Sequence, residues 1–315
     1  MPANNIVNLF TAAMQSKFIN AYEATAEVAP IEKALEVLPS TARIENYAWL
    51  SPTPAMAQYK GHRRFGNIGG INYRVENLEY DASFEVLMRD IEDDQVGGYM
   101  KKPAELAEKA KKFPNRLALQ ALANNGTCFD GTSFFADSHT IGTGDNNLAK
   151  DCASNDGVTH YLYALVCNKA IKPLVYQDRK PARMETDADT KEALKTKMAR
   201  YWVDMEGAIA YGHWWDAVKV TITDTPTVTE VQAIFADIET ALRGFTLPKN
   251  LTADTAEYPN EQLEFNANNV LFCCSTKIAN LVRTVLQSDT IVQSSAAVTN
   301  IYKGFGSLCV SALLN

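Results

Sequence analysis

The feature that most constrains the fold is a fixed succession of elements between residues 80 and 139. An apolar strand, SFEVLMRDI, runs into the acidic turn EDDQVGGY, a long amphipathic segment follows, and CFDGTSFFADSH closes the stretch. The stretch has no phosphate-binding loop, activated nucleophile or metal-ligand spacing. The order of its elements is therefore more informative than their chemistry.

The amphipathic segment predicts a helix over residues 103–124. Pro103 is favoured in a first turn, and the Asn-Asn-Gly run at 124–126 is a common signal for a helix end. Pro114 removes a backbone donor inside the helix, so we expect a kink just before it. Apolar side chains recur on one face at helical spacing: Leu106, Ala110, Phe113, Leu117 and Ala121.

Residues 1–54 are predicted to form an N-terminal arm. Six apolar side chains near its start recur at roughly helical spacing and predict an amphipathic helix that needs a partner surface: Ile6, Leu9, Phe10, Met14, Phe18 and Tyr22. The second half of the arm is interrupted by prolines, which break regular elements: Pro30, Pro39, Pro52 and Pro54.

Residues 55–88 predict a long β-hairpin, because polar and apolar residues alternate after the glycine-bearing tip GNIGG. The hairpin holds the most basic local cluster of the chain: Lys60, His62, Arg63, Arg64 and Arg74. One interpretation is a ribbon that binds nucleic acid. A cluster of this size is more often a solvated face or a contact to an acidic protein surface.

The segment CFDGTSFFADSH allows a catalytic and a structural interpretation. A hydrolase would draw its reactive groups from four side chains: Cys128, Asp130, Asp137 and His139. Neither an oxyanion motif nor the rhythm of a calcium loop accompanies them. We therefore favour the structural interpretation, in which Asp130 and Gly131 form a tight turn. Phe134 and Phe135 are expected in the core, and His139 is expected to be a hydrogen-bonded loop residue.

The remainder of the chain divides into two predicted regions. Residues 158–222 are predicted to be mainly β-structure, because YLYALVCN, AIKPLVYQDRK and RYWVDMEGAIAYGHWWDAVKVTI are rich in aromatic and β-branched residues. Residues 223–315 are predicted to be a separate α/β unit. Its first helix is predicted to begin at Thr227 and to end at Gly244. The predicted strand LEFNANNVLFCC follows, and a second predicted helix contains Leu281.

Composition excludes several classes of protein. The 315 residues are 46% hydrophobic and 21% charged, which is ordinary for a globular protein and does not suggest disorder. The sequence has no apolar run of about 18 residues and no signal-peptide pattern, so we expect it to stay in the cytosol where it is made. The net charge of −7, with dispersed basic residues, argues against a sequence-reading DNA binder. The six cysteines lack C-x-x-C spacing and are expected to be reduced core thiols.

Together these segments resemble the Mu-like major head subunits of tailed phages. The resemblance rests on the joint occurrence of Y.G.R at residues 59–63, FDG..FF...H at 129–139, PLVYQDRK, AYGHWWDA and N.YKG...L.VS.LL. It implies an α+β, Hong-Kong-97-type phage capsid fold. The implied parts are an N-terminal arm (1–54), an extended loop (55–88), a peripheral domain (89–222) with the spine helix (103–124), and an axial domain (223–315). In the family the axial elements precede the PLVYQDRK strands, whereas here they follow, so a permuted order is expected.

The resemblance also implies a function. The chain would be a major capsid protein that self-assembles into hexamers and pentamers of an icosahedral phage head enclosing double-stranded DNA. Its partners would be its own copies, with portal, scaffolding and decoration proteins, and it would contact neither a membrane nor a specific DNA sequence. It would be assembled in the host cytoplasm and located in the virion. The family is not enzymatic and implies no catalytic, cofactor-binding or metal residues.

Two other classes of protein stay open on the residues alone. A cytosolic hydrolase would use Cys128 or the nearby carboxylates, and a nucleic-acid-binding module would use the basic hairpin. The hydrolase needs an activating partner for its nucleophile, which the sequence cannot place. The nucleic-acid-binding module should show a salt-dependent affinity that reflects several phosphate contacts.

The extended loop has too little core to be stable alone, so we expect it to lie on a neighbouring subunit. The candidate contact residues are basic on the loop and acidic in the turn after it: Lys60, Arg63, Arg64, Arg74, Glu92, Asp93 and Asp94. Replacing Arg63 and Arg64 with glutamate should leave the monomer folded but block assembly, because like charges would then face each other. Electron microscopy of the variant measures this, and normal shells would contradict the hypothesis.

Overall fold

The computed structural model describes residues 3–25, 29–53, 61, 71–93, 97–188, 191–247, 261–262, 269–293 and 296–315. The helices are α1 (Ala3–Ala24), α2 (Met88–Glu92), α3 (Lys102–Asn124), α4 (Lys191–Thr196), α5 (Val228–Gly244) and α6 (Ala279–Gln287). The first strands are β1 (Leu35–Pro39), β2 (Ile44–Asn46), β3 (Arg74–Glu76), β4 (Leu78–Leu87), β5 (Asn147–Asp151), β6 (Thr159–Val166), β7 (Leu174–Thr186) and β8 (Met198–Tyr211). The others are β9 (Ala217–Thr223), β10 (Thr246–Leu247), β11 (Glu261–Gln262), β12 (Val270–Cys274), β13 (Thr290–Gln293), β14 (Ala296–Thr299) and β15 (Ser307–Val310).

A four-stranded sheet in the order β1-β7-β8-β4 carries the first half of the fold. β1 runs parallel to β7, and the other pairs are antiparallel. Helix α3 lies against β7 and β8, and α1 packs on α3. Phe10, Met14 and Phe18 of α1 are buried there with Tyr201 and Val203 of β8. The predicted N-terminal helix thus finds its partner surface on α3 and on this sheet.

Helix α3 covers the predicted long helix to within one residue and continues through Pro114. Its last residue is Asn124, and Asn125, which caps the helix, adopts the left-handed conformation with φ of 48°. The buried apolar stripe of α3 is mostly alanine: Ala107, Ala110, Ala118, Ala121 and Leu122. Leu106, Phe113 and Leu117 of the predicted stripe are only half-buried. The stripe is rotated from the prediction because small side chains at the contact let neighbouring elements approach closely.

A five-stranded mixed sheet in the order β15-β12-β6-β9-β5 carries the second half. Its central strands are buried on both faces, with β12 (VLFCC) completely so. Helix α5 packs on β9, and α6 packs on α5 and β15. All six cysteines are free thiols, and Cys273 and Cys274 on β12 are both buried. Among the described residues, no helix is long and apolar enough to cross a membrane.

The sheet order corrects the predicted division at residues 222 and 223. The strands before that point were expected to lie together beside the long helix, and residues 223–315 were expected to form a separate unit. Instead, β6 is hydrogen-bonded to β9 on one side and to β12 on the other. The prediction was wrong because an apolar run such as YLYALV indicates a strand buried on both faces but does not identify its neighbours.

The structure also reassigns the second leg of the predicted hairpin at 55–88. β3 pairs with β2 of the arm, and β4 pairs with β8 along all ten of its residues. β4 is therefore part of the four-stranded sheet. Residues 88–92 form α2 rather than a continued strand, because Met88 and Ile91, three residues apart, are both buried. The tip and most of the first leg lie outside the described residues.

Candidate assembly surfaces and the buried cluster that positions them

The segment after α3 forms the predicted tight turn. Gly131 has φ of +84°, a left-handed conformation that favours glycine. The Thr132 backbone N–H and hydroxyl both donate to Oδ1 of Asp130, at 3.0 and 2.7 Å. These local bonds orient the Asp130 carboxylate and leave Oδ2 available for a second partner.

That second partner is His139. Its Nδ1 lies 2.8 Å from Oδ2 of Asp130, and both side chains are fully shielded from solvent. The imidazole stacks on the indole of Trp214 with 3.9 Å between ring centroids and 1° between ring planes. Burial raises the pKa of Asp130, but hydrogen bonds from His139 and Thr132 outweigh it and leave that pKa below its usual value. The predicted role of His139 as a hydrogen-bonded loop residue is confirmed.

Asn146 connects this turn to the chain that leaves β8. Its side-chain amide donates to the carbonyl oxygens of Phe134 at 2.9 Å and Trp214 at 3.0 Å. Its Oδ1 accepts from the Ala136 backbone N–H at 2.9 Å and lies 3.2 Å from Nε2 of His139. Asn146 is completely buried, so each of these bonds is made away from water. We call Asp130, His139, Asn146 and Trp214 the corner cluster.

A second set of contacts fixes the end of α3 to the same place. The Tyr211 hydroxyl donates to the Ala121 carbonyl at 2.7 Å and accepts from the Gly126 N–H at 2.7 Å. The Tyr211 ring stacks on Phe134 with centroids 4.8 Å apart. Both phenylalanines of the FDG..FF segment, Phe134 and Phe135, are buried, as predicted. The long helix, the turn and both sheets therefore meet at one point.

The same geometry opposes a hydrolase. Cys128 is buried, and its thiol lies 3.6 Å from the Gly212 carbonyl. Burial raises the pKa of the Cys128 thiol far above its usual value, so the nucleophilic thiolate is disfavoured. His139, the base that such an enzyme would need, is held by Asp130 and Asn146 instead. Among the described residues, no group of three or more His, Cys, Asp or Glu side chains is placed to hold a metal ion.

A buried histidine and aspartate occupy the turn between β8 and β9. Nδ1 of His213 lies 3.8 Å from Oδ2 of Asp216, and its Nε2 donates to the Leu50 carbonyl at 3.2 Å. The His213 ring stacks on Trp215 with centroids 4.3 Å apart. Burial lowers the pKa of His213 to about 4 and raises the pKa of Asp216 to about 7.

The structure places only part of the predicted subunit-contact set. Arg74 lies on β3, is exposed, and donates to the Asn72 side chain at 3.2 Å. Asp93 is exposed directly after α2, and Glu92 is the last residue of that helix. Three of the basic residues and one acidic residue lie outside the described residues: Lys60, Arg63, Arg64 and Asp94. Their contacts stay a prediction.

The sequence analysis missed a different set of surface residues. Large apolar side chains that are more than a third exposed occur on several elements: Leu9, Ile19, Val37, Ile44, Trp49, Leu78, Leu87, Val292, Val298, Ile301, Val310 and Leu313. Exposed apolar side chains close together indicate contact with another molecule. For Val292, Val298 and Ile301 a signal existed, because residues 290–302 contain no charged side chain. Charge depletion is typical of the core of an interface.

Comparison with known proteins decides the family. The sequence matches the family described as Mu-like prophage major head subunit gpT over residues 7–314, nearly its whole length. The chain belongs to this family. It is therefore a phage head subunit, a structural protein of the virion and not an enzyme. The hydrolase alternative is wrong.

Two relatives show how far the likeness of this head subunit extends. It is 32% identical over 190 residues to the Mu-like prophage FluMu major head subunit of Haemophilus influenzae, covering 56% of this chain and 61% of that protein. It is 26% identical over 220 residues to the major capsid protein of Escherichia phage Mu, covering 66% of this chain and 72% of that protein. The alignment thus spans about three fifths of the Haemophilus relative.

Solved structures show the fold of the head subunit. A chain from the procapsid of bacteriophage JBD30 superposes with a TM-score of 0.75 at 22% identity, covering 100% of both chains. A chain from the JBD30 capsid gives 0.69 at 19% identity, covering 93% of both. The predicted α+β, Hong-Kong-97-type capsid fold is confirmed. The family match covers residues 7–314 as a single range, and the procapsid chain is covered in full. Neither comparison supports the permuted order of elements that was expected from the sequence.

Removing the Asn146 amide should destabilise the head subunit strongly. Asn146→Ala leaves two buried carbonyl groups and one buried N–H without their partner, so we expect a loss of about 3 kcal/mol or more in the free energy of unfolding. Asn147→Ala is the matched control, because Asn147 bonds Asp137 at the exposed surface and its loss should cost less than about 1 kcal/mol. Chemical denaturation of both variants measures the difference, and equal stabilities would refute the role of Asn146.

Asp216 should make stability depend on pH. Its pKa is about 7 in the folded protein, against an ordinary value of 3.8, so folding takes up a proton between those values. Asp216 therefore costs stability progressively as pH rises from about 4 to 7. Relative to wild type, Asp216→Asn should gain stability across that range, by at most about 4 kcal/mol, and level off above it. Urea denaturation at several pH values tests this, and a difference that does not change with pH would refute it.

Proposed function

We propose that copies of this head subunit assemble as hexamers and pentamers into an icosahedral shell that encloses double-stranded DNA. The observation that carries the proposal is the family match along residues 7–314. The likeness of the fold to the JBD30 procapsid chain over its full length supports it. The subunit's surface is consistent with repeated contacts, because exposed large apolar side chains occur on α1, β1, β4 and the C-terminal hairpin β13–β14.

We assign each of the two sheets, with the helices packed on it, to one part of the capsid fold. We assign the four-stranded sheet with α1 and α3 to the peripheral part, where α3 is the spine helix. We assign the five-stranded sheet with α5 and α6 to the axial part, near the fivefold and sixfold axes. β5, β6 and β9 join the axial part because they are hydrogen-bonded into its sheet. This replaces the division expected from sequence at residue 223.

The interaction with DNA is proposed to be that of a container. The net charge of −7 gives weak repulsion of the packaged genome rather than specific binding. Portal and scaffolding proteins are proposed partners in assembly. A decoration protein is also proposed, since one solved relative is a JBD30 capsid decorated with minor capsid protein trimers.

Electron microscopy and analytical ultracentrifugation of the full-length chain test the proposal. The protein should be expressed alone and together with the other head proteins of the same phage, because assembly can require them. We expect rings or closed shells in at least one preparation. A folded protein that stays monomeric in both preparations at every concentration would contradict the proposed function.

A further inference from the structure

The hairpin β13–β14 lies within a stretch of the chain that carries no charged side chain. Residues 290–302, which include β13 and β14, contain no Asp, Glu, Lys or Arg. The charged residues that flank this stretch, Asp289 and Lys303, form an ion pair with each other. The hairpin therefore offers neither a positive nor a negative site to a partner.

We propose that the outer face of hairpin β13–β14, together with Ile301, is the surface on which hairpins of neighbouring copies meet. The inference rests on the proposed function, because it requires that copies of the chain associate. It goes beyond that function by naming the surface and by committing to a single occupant, the same hairpin of a second copy.

The base of the hairpin is packed on, and hydrogen-bonded to, the neighbouring helices. Ile291 is buried, and β13 lies against α5. Asn300 is buried, and its side-chain amide donates to the carbonyls of Val285 at 2.5 Å and Ser288 at 2.9 Å, at the end of α6. Its Oδ1 accepts from the Tyr302 backbone N–H at 3.0 Å. The hairpin is thus fixed to both axial helices.

The strand register decides which side chains face outward. Val292 is paired with Ala297 and Thr290 with Thr299, so these four share the face opposite to Ile291. All four side chains are exposed, and Val292 is 69% exposed. Ile301, directly after β14, is 77% exposed. This face combines the small or β-branched side chains of two threonines, a valine and an alanine, so it is uncharged and a neighbouring strand can pack closely on it.

Such a hairpin is unfavourable in a lone monomer. Exposed strands normally carry lysine, proline or another charged residue that prevents pairing with other chains, and the 290–302 stretch has none. A nucleic acid or a strongly charged protein would find no complementary charge there. A second copy of the chain carries the same uncharged face, so each face has a matching face on another copy. In a ring of identical subunits, the hairpins can therefore cover one another about the rotation axis.

Cross-linking tests whether the hairpins meet. Ala297→Cys puts a thiol on the outer face, and Gln287→Cys puts one on the exposed side of α6 as a matched control. Assembled particles are treated with a short bismaleimide and analysed on a denaturing gel, with wild type as the background for the six native thiols. We expect covalent dimers of this chain from Ala297→Cys only, because each chain then has one added thiol and the cross-linker joins two thiols. Cross-links to a different head protein, or none, would overturn the proposal.

A charge test is independent of the cross-linker. Val292→Lys should lower the yield of assembled particles by about tenfold or more, because an unpaired charge would be buried between copies. Val292→Thr keeps the shape without charge and should assemble much better, and Gln287→Lys adds the same charge outside the surface. Circular dichroism confirms that each variant is folded. Normal assembly of Val292→Lys overturns the hairpin contact and leaves the proposed function standing, whereas a wild-type chain that never associates overturns both.

Discussion

The hydrogen bonds of the Asn146 side chain are the contacts on which the remaining architecture depends. They hold the turn after α3 against the corner where the chain leaves β8, in one sheet, and enters β9, in the other. The stack of His139 on Trp214 and the bond of His139 to Asp130 complete this junction without exposing a polar atom to solvent. If only some of the buried polar groups in this cluster had hydrogen-bond partners, the folded protein would be less stable than with apolar side chains in the same place. The members of the corner cluster therefore stabilise the junction only together.

This junction explains why the two sheets do not behave as separate domains. One continuous core contains Leu174 and Val175 of the four-stranded sheet and Leu162 and Phe272 of the five-stranded sheet. A single close-packed core joins the two sheets, so a force on one sheet reaches the other with little deformation. The second, smaller core lies under α1 and packs that helix on α3 and on β8 of the four-stranded sheet.

Local patterns in the sequence predicted the elements well, but they could not predict which elements meet. The long helix, the turn at Gly131 and helix α5 with its cap, where Thr227 accepts from the Glu230 N–H, all follow from signals within a few residues. The pairing of β6 with β9 and β12 joins segments that are 50 or more residues apart. Other strands of the chain are equally apolar, so the sequence pattern does not identify which of them pairs with β6. The bond from Asn146 to the Trp214 carbonyl spans 68 residues, and an Asn in the loop GTGDNNL carries no sign of it.

Hydrogen exchange measured by mass spectrometry tests most directly whether the corner cluster joins the sheets. Under increasing denaturant, peptides from β7 and β8 should lose protection together with peptides from β6 and β12. Both sets should show the same free energy of opening and the same dependence of that free energy on denaturant concentration. In Asn146→Ala the two sets should both lose protection at lower denaturant. Loss of protection in one sheet while the other stays closed in the wild-type chain would contradict the account.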